Sequence, residues 1–314
     1  MAISSTSSAA ASSGIEDFSR FSTRRLGSAR DRVRDVAWNL DGRRLATGGQ
    51  DRTLRIYLPD KGVRDATECR GHAGEVSCVR WSPAHPERLA SCSASSQDKA
   101  LHFWDIRQGS KPTSSIDTFG DNISMSWSPD GKTIVLGNRN DKVIWVDVEQ
   151  QRIVKSESLQ YETNETTFSH NGSLLFYTAD GSVQINAHPS NAPIYKVNIS
   201  TASTTVLDLD PRGRYLVAGS NDTLMTLWET EEWTCAGSSG EHEDPIRVCK
   251  FSAEGNYIAS SALDSNGIVI SDVPSLKKLH SITGAAACDS LAWHPTRNIL
   301  AYGGGDAGIW GAGV

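Results

Sequence analysis

At 314 residues, with 22% charged and 7% aromatic side chains, the chain has an ordinary globular composition, and no apolar run nears the roughly 18 residues of a membrane-spanning helix. The formal net charge of −6 is the wrong sign for a dedicated nucleic-acid binder. Six cysteines (Cys69, Cys78, Cys92, Cys235, Cys249 and Cys288) show no CxxC pair or framework spacing, so they read as reduced thiols of an intracellular protein.

Residues 1–17 are read as a disordered Ser/Ala-rich tail, because Met1 to Gly14 lacks the charged start and apolar centre of a secretory signal. Phe18 to Leu26 precedes the first repeat and has no repeat of its own. From there the same phrase returns seven times: an apolar stretch ending in a large anchor, a polar turn, and a second apolar stretch. The anchors are Trp38, Trp81, Trp127, Phe168, Leu209, Phe251 and Trp293, spaced by 43, 46, 41, 41, 42 and 42 residues. A period just above forty is that of an array in which each repeat supplies one four-stranded blade. The reading is therefore all-β, a seven-bladed propeller over residues 18–314, whose product is surface and not a catalytic cleft. The last repeat has three strands, so Phe18 to Leu26 is expected to add the outer strand of blade 7 and close the ring, leaving no exposed sheet edge there.

Within the repeats, Asp41-Gly42, Asp130-Gly131, Asn171-Gly172, Arg212-Gly213 and Glu254-Gly255 supply the positive φ of a tight turn after the anchor. Third strands are expected to end at Tyr57, Trp104, Trp145-Val146-Asp147, Ile185, Trp228-Glu229, Ser271-Asp272 and Trp310. The second repeat is the fullest copy: Gly71-His72 opens it, Val76 to Trp81 alternates like a half-buried strand, and Trp104-Asp105 closes it. A Gly-His start and a Trp-Asp end mark the WD40 repeat, and residues 18–314 resemble that family. The resemblance implies a structural chain in which Asp98 holds His72, His72 bonds Ser91 or Ser93, and that serine bonds the Trp104 indole. Ser91, His72 and Asp98 are also the residue types of a hydrolase triad, but no nucleophile elbow or oxyanion hole accompanies them. His242, among Glu241, Glu243 and Asp244, lacks a second cluster with ligand spacing, and Gly303-Gly304-Gly305 has no following Lys-Ser/Thr. No catalytic residue, metal, cofactor or small-molecule substrate is expected.

The eroded copies carry more. Val36-Ala37-Trp38 with Asp41-Gly42-Arg43-Arg44, Asp121-Asn122-Ile123 with Trp127-Ser128-Pro129-Asp130-Gly131-Lys132, and Asn164-Glu165 stand in the first half. Asp210-Pro211-Arg212-Gly213-Arg214-Tyr215, Pro245-Ile246-Arg247 and Leu291-Ala292-Trp293-His294-Pro295 stand in the second. In this order they resemble the WD40 subunit family of the THO complex, a component of the TREX transcription and mRNA-export assembly. The resemblance implies a non-enzymatic nuclear scaffold, docked on the large helical THO subunit, touching RNA indirectly or weakly. Three places depart from the pattern: Ser200-Thr201 where a Gly-His-like pair would stand, Ala187-His188-Pro189 about a dozen residues too early to replace it, and an abrupt Gly308-Ile309-Trp310-Gly311 ending.

Between Arg20 and Arg55 the charge is +6, leaving −12 for the remainder. Arg24, Arg25, Arg32, Arg34, Arg43, Arg44, Arg52 and Arg55 are accordingly candidates for a surface facing an acidic partner or RNA. An alternative rests on Trp104-Asp105-Ile106-Arg107, similar to the WDxR motif of cullin-4 ubiquitin-ligase substrate receptors, with Asp105 and Arg107 as the adaptor contacts.

Overall fold

A computed structural model describes residues 16–27, 31–265, 267–285 and 287–313. The expected tail up to residue 15, and Arg30, lie outside these. Alternation of apolar and polar residues makes every repeat a run of short strands separated by glycine and aspartate turns. The described residues form seven four-stranded antiparallel sheets, and neighbouring inner strands pack side by side round a ring. Blade 1 runs Val33–Trp38, Leu45–Gly49, Thr53–Leu58 and Gly62–Arg70 from axis to rim, and blades 2 to 6 repeat this order. Each anchor is the last residue of an inner strand.

Because each blade is an antiparallel meander, its loops alternate between two faces. The crossings between blades and the second-to-third-strand turns lie on what we term the upper face. The turns after the anchors and the third-to-fourth-strand turns lie on the lower face. Gly42 shows why glycine is needed there: its φ is 70°, and a Cβ would stand 2.2 Å from Nε2 of His294.

Ser22–Arg25 closes blade 7 against Gly308–Gly311, pairing Ser22 with Gly311 and Arg25 with Gly308. The strand is shorter than the Phe18 to Leu26 segment expected to form it. Phe18–Arg20 is instead a turn of 3₁₀ helix, capped by the Asp17 carboxylate, which accepts from the Ser19 amide at 3.1 Å. Phe18 enters the seam between blades 6 and 7, edge-on to Tyr257 and 5.5 Å from Trp310. Glu16, assigned to the tail, is docked on the propeller, its amide donating to the Tyr257 hydroxyl at 3.3 Å, and Asp17, also assigned to the tail, caps the 3₁₀ turn.

The ring is locked by the anchors' chemistry as well as their bulk. The Trp81 indole donates to the Ala37 carbonyl of the previous blade at 2.9 Å, and Trp127 to Arg80 at 3.3 Å. Trp293 donates to Lys250 at 3.0 Å, and Trp38 to Ala292 at 3.1 Å. Each bond satisfies a carbonyl one residue before the neighbouring anchor, worth about 1 kcal/mol net. Phe168, Leu209 and Phe251 have no such donor. At the seams of Leu209 and Phe251 carboxylates bridge: Glu165 accepts from the Leu207 amide at 2.9 Å, and Asp208 from the Phe251 amide at 2.8 Å, as Asp35 does from the Val79 amide at 2.7 Å beside the Trp81 indole.

One further detail differs from expectation, and strand register adds another. The third strand of blade 4 continues past Ile185 to Ala187, and His188 falls in the turn after it, its ring edge against Phe168. Trp145 pairs with Val135, the place Phe103 takes opposite Ala90, so Val146 and not Trp145 occupies the position of Trp104.

Candidate interaction surfaces

In blade 2 the third strand brings Trp104 opposite Leu89 and the second places Ser91 two residues on, so a short chain of bonds crosses the sheet. The Trp104 indole donates to Ser91 Oγ at 2.8 Å, Ser91 lies 2.7 Å from Nε2 of His72, and Nδ1 of His72 lies 2.7 Å from Asp98. The consistent assignment is Ser91 O–H donating to Nε2 and Nδ1–H donating to the carboxylate. Ser91, not Ser93, is the serine used. Burial pushes the Asp98 carboxyl up, but the bond from His72 and amides of Gly74 and Ala100 outweigh it and hold it at about 2.

Sequence reasoning missed His102, whose ring lies 4.3 Å from that of His72 and whose Nδ1 is 2.6 Å from Ser115 Oγ. Burial first, then the neighbouring His72, pushes it down to about 4. Ligand atoms of His72, Asp98 and His102 lie within 4.8 Å of one another. Both His72 nitrogens and both Asp98 oxygens are, however, already engaged in hydrogen bonds. Ser91 is fully buried, so the triad types form a closed brace with no approach for a substrate.

The eroded blades keep parts of the brace. In blade 6, His242 lies 2.8 Å from Ser260 Oγ, but Ser271 replaces the tryptophan. In blade 5, Ser200 stands in for the histidine and donates to Asp222 at 2.5 Å. Blade 4 builds a different network, with Tyr177 and Asn186 both donating to the Asn191 side chain, which donates to Glu157 on blade 3.

The inner strands enclose a channel along the axis, about 620 Å³ at its upper end, lined by charged groups from most blades. Asp35 pairs with Arg80, and Lys250 with Glu165 at 3.0 Å and Asp208 at 3.6 Å. Burial pulls the Lys250 ammonium down, but these two carboxylates outweigh it and raise it above the ordinary lysine value. At the upper mouth Asp289 gathers Arg32 at 2.5 Å, Arg34 at 3.4 Å and Arg247 at 3.6 Å. Arg32, Arg34, Arg80, Arg247 and Lys250 are each held by a nearby carboxylate.

The eight arginines proposed as one surface do not form one. Arg32 and Arg34 belong to the upper channel mouth, and Arg34 also pairs with Glu75 at 3.2 Å. Arg43 and Arg44 lie on the lower face, where Arg44 bonds Glu87 at 3.0 Å. Arg52 sits in an upper-face turn, and Arg55 is buried between Asp51 and Glu68. Arg24 and Arg25 stand on the outer rim. Two strands of a meander send residues close in sequence to opposite faces, so the charge block disperses. Asp105 and Arg107 meet as a fork, with Oδ1 accepting from Nε at 3.0 Å and Oδ2 from Nη2 at 2.7 Å. The arginine of that motif is thus held by its own aspartate.

Comparison with known proteins follows the same geometry. The family model described as "WD domain, G-beta repeat" matches residues 21–57, 64–105 and 233–270. The first of these windows starts beside the closing strand and ends in the third strand of blade 1, so the repeat is offset from the blade by one strand. The chain is 33% identical over 293 residues to THO complex subunit 3 of Arabidopsis thaliana, covering 92% of this chain and 91% of that protein. It is 29% identical over 312 residues to the WD repeat-containing protein AAC3 of Dictyostelium discoideum, covering 91% of this chain and 64% of that one. A protein transport protein SEC13 of Cryptococcus neoformans is 26% identical over 322 residues, covering 90% of this chain and 92% of its own length.

Proposed function

The chain belongs to the THO complex subunit 3 family of WD40-repeat proteins, and from that premise we propose that it is a non-enzymatic interaction subunit of a THO-type assembly. Its role would be to hold other THO subunits, chiefly the large helical one, in the nuclear machinery that couples transcription to mRNA packaging and export. RNA contact would be indirect or weak.

The observation that carries this reading is the 33% identity to THO complex subunit 3 over 92% of the chain, above the 29% and 26% to AAC3 and SEC13 over a similar share. The match runs through blades 4 and 5, whose copies keep a turn glycine but lack the Gly-His pair and the anchor tryptophan. The buried brace around Ser91 agrees with a scaffold role, since its polar groups are spent on each other.

The test is purification of the tagged full-length chain from nuclear extract at moderate salt, with identification of the bound chains. The expected result is recovery of the large helical THO subunit in near-equal amount, with nuclear fluorescence of a tagged copy and nuclear retention of polyadenylated RNA on depletion. Recovery of protein-transport chains instead, with extranuclear fluorescence, would assign the protein to the SEC13-like group and overturn the proposal.

A further inference from the structure

Where the closing strand meets blade 1, the outer strand of blade 1 bows away from its sheet. Tyr57 pairs with Ala66 but Leu58 with Gly62, so Val63–Asp65 bulges outward. The Gly27 amide donates to the Val63 carbonyl at 2.9 Å, and a Cβ at Gly27 would stand 2.9 Å from the Arg64 Cα. The backbones thus touch at one end of the seam and leave a rim groove of about 800 Å³ beside it. Arg24 and Arg25 line it from the closing strand, and Lys61 and Arg64 from blade 1, with Asp65 the acidic residue among the described lining. The side chain of Arg25 also reaches Asp306 at 3.5 Å and stays 71% exposed. Leu58, 37% exposed, gives the groove an apolar floor with Ile56.

We propose that this groove docks an extended acidic segment of a partner protein, with apolar side chains punctuating its carboxylates. Charge complementarity argues for it: four cations stand on two facing elements of a chain whose net charge is −6. An acidic segment is therefore repelled by much of the molecule and drawn to this place. Spread over two walls, the cations suit several carboxylates in a row better than one compact anion, and arginine forks match carboxylates. The floor is aliphatic. Single-stranded RNA is held by stacking its bases on aromatic rings as well as by charge, and the described lining of this groove has none. A segment lying here bridges blade 7 to blade 1 and reinforces the ring closure. The inference goes beyond the THO assignment and does not depend on it.

The test is fluorescence anisotropy with the full chain and two probes at low salt, on the order of 50 mM: a labelled peptide alternating Glu and Val, and an oligouridylate of equal length. Saturable peptide binding is expected, weakened roughly tenfold or more by Arg24→Glu with Lys61→Glu. The single variant Arg24→Gln should weaken it about two- to threefold, and Arg43→Glu on the lower face should leave it within about twofold. Bound peptide should also raise the melting temperature of the parent and not that of the double variant. Tighter binding of the oligouridylate with the same sensitivity, no peptide binding, or binding indifferent to Arg24 and Lys61 would each overturn the proposal.

Discussion

Replacing Phe18 by Ala tests how the ring is held shut. The closing strand Ser22–Arg25 has all four side chains exposed, so its own residues bury almost nothing. What attaches it is a short ladder clamped at each end by Phe18 and Leu26, each 5% exposed. Phe18 lies against Phe21, Tyr257 and Trp310 at ring separations of 5.2, 5.2 and 5.5 Å, in the cluster that joins blades 6 and 7. Truncating a fully packed phenylalanine costs about 3–5 kcal/mol, the transfer loss plus the cavity left behind. In a chain of this size 1 kcal/mol moves the melting temperature by about 2 °C, so the variant should melt roughly 6–10 °C earlier. Thermal unfolding by circular dichroism measures this. Amide exchange should show faster exchange in Gly308–Gly311, whose outer partner is loosened. Arg20→Ala is the control, because that side chain is 86% exposed and has only a 3.6 Å contact with Asp17. A Phe18→Ala melt within about 1 °C of the parent, with unchanged exchange in that strand, would refute the clamp.

Trp81→Phe keeps a ring in the seam but removes the indole bond to the Ala37 carbonyl; a loss of about 1 kcal/mol in urea unfolding is expected, and a neutral result would reduce the indole bonds to decoration. His102 should make stability fall in mild acid. Its folded pKa of about 4 lies below the unfolded value near 6.5, so the unfolded chain binds more protons between them and stability is lost as pH drops through that window. The loss from this group is about 1.5 kcal/mol between pH 6.5 and 5, and His102→Gln should flatten the melting-temperature profile there by that amount. Gly42→Ala should cost at least about 1 kcal/mol by thermal melting, since the φ of 70° and the His294 ring 2.2 Å from the added carbon both oppose it; a stabilised variant would mean that turn is free to rearrange.

The fold was legible because its signals are local and repeated. The anchor spacing placed all seven inner-strand ends, the turn glycines placed the lower-face turns, and the surplus segment ahead of the first repeat accounted for the missing strand of the last. Errors fell where the pattern is not periodic. The 3₁₀ turn at Phe18–Arg20 comes from one capping aspartate and one buried ring, neither of which repeats. The third strand of blade 3 ends at Trp145-Val146-Asp147 as expected, but strand register, invisible in a list of apolar residues, puts Trp145 on the opposite surface of the sheet from the Trp104 position.

The interaction surfaces were less legible for a physical reason that the arginines make plain. A charge run in sequence is a patch in space only if the chain keeps its direction, and a meander reverses direction every six residues or so. Arg32 and Arg44, twelve positions apart, end on opposite faces, each beside a carboxylate from another repeat. The pairs that count join residues one or more repeats apart: Arg32 with Asp289, Lys250 with Glu165, Arg34 with Glu75. Three seams lack an indole, and at two of them Glu165 and Asp208 bridge the gap and Lys250 ties both carboxylates together. Asp35 bridges the Trp81 seam in the same way, accepting from the Val79 amide at 2.7 Å, so the charged girdle also runs past seams that keep an indole. A sequence reading that asks of each anchor whether it can donate a hydrogen bond, and not only whether it is large, finds the three seams without an indole, while the carboxylates beside them emerge only from the packing of one blade on the next.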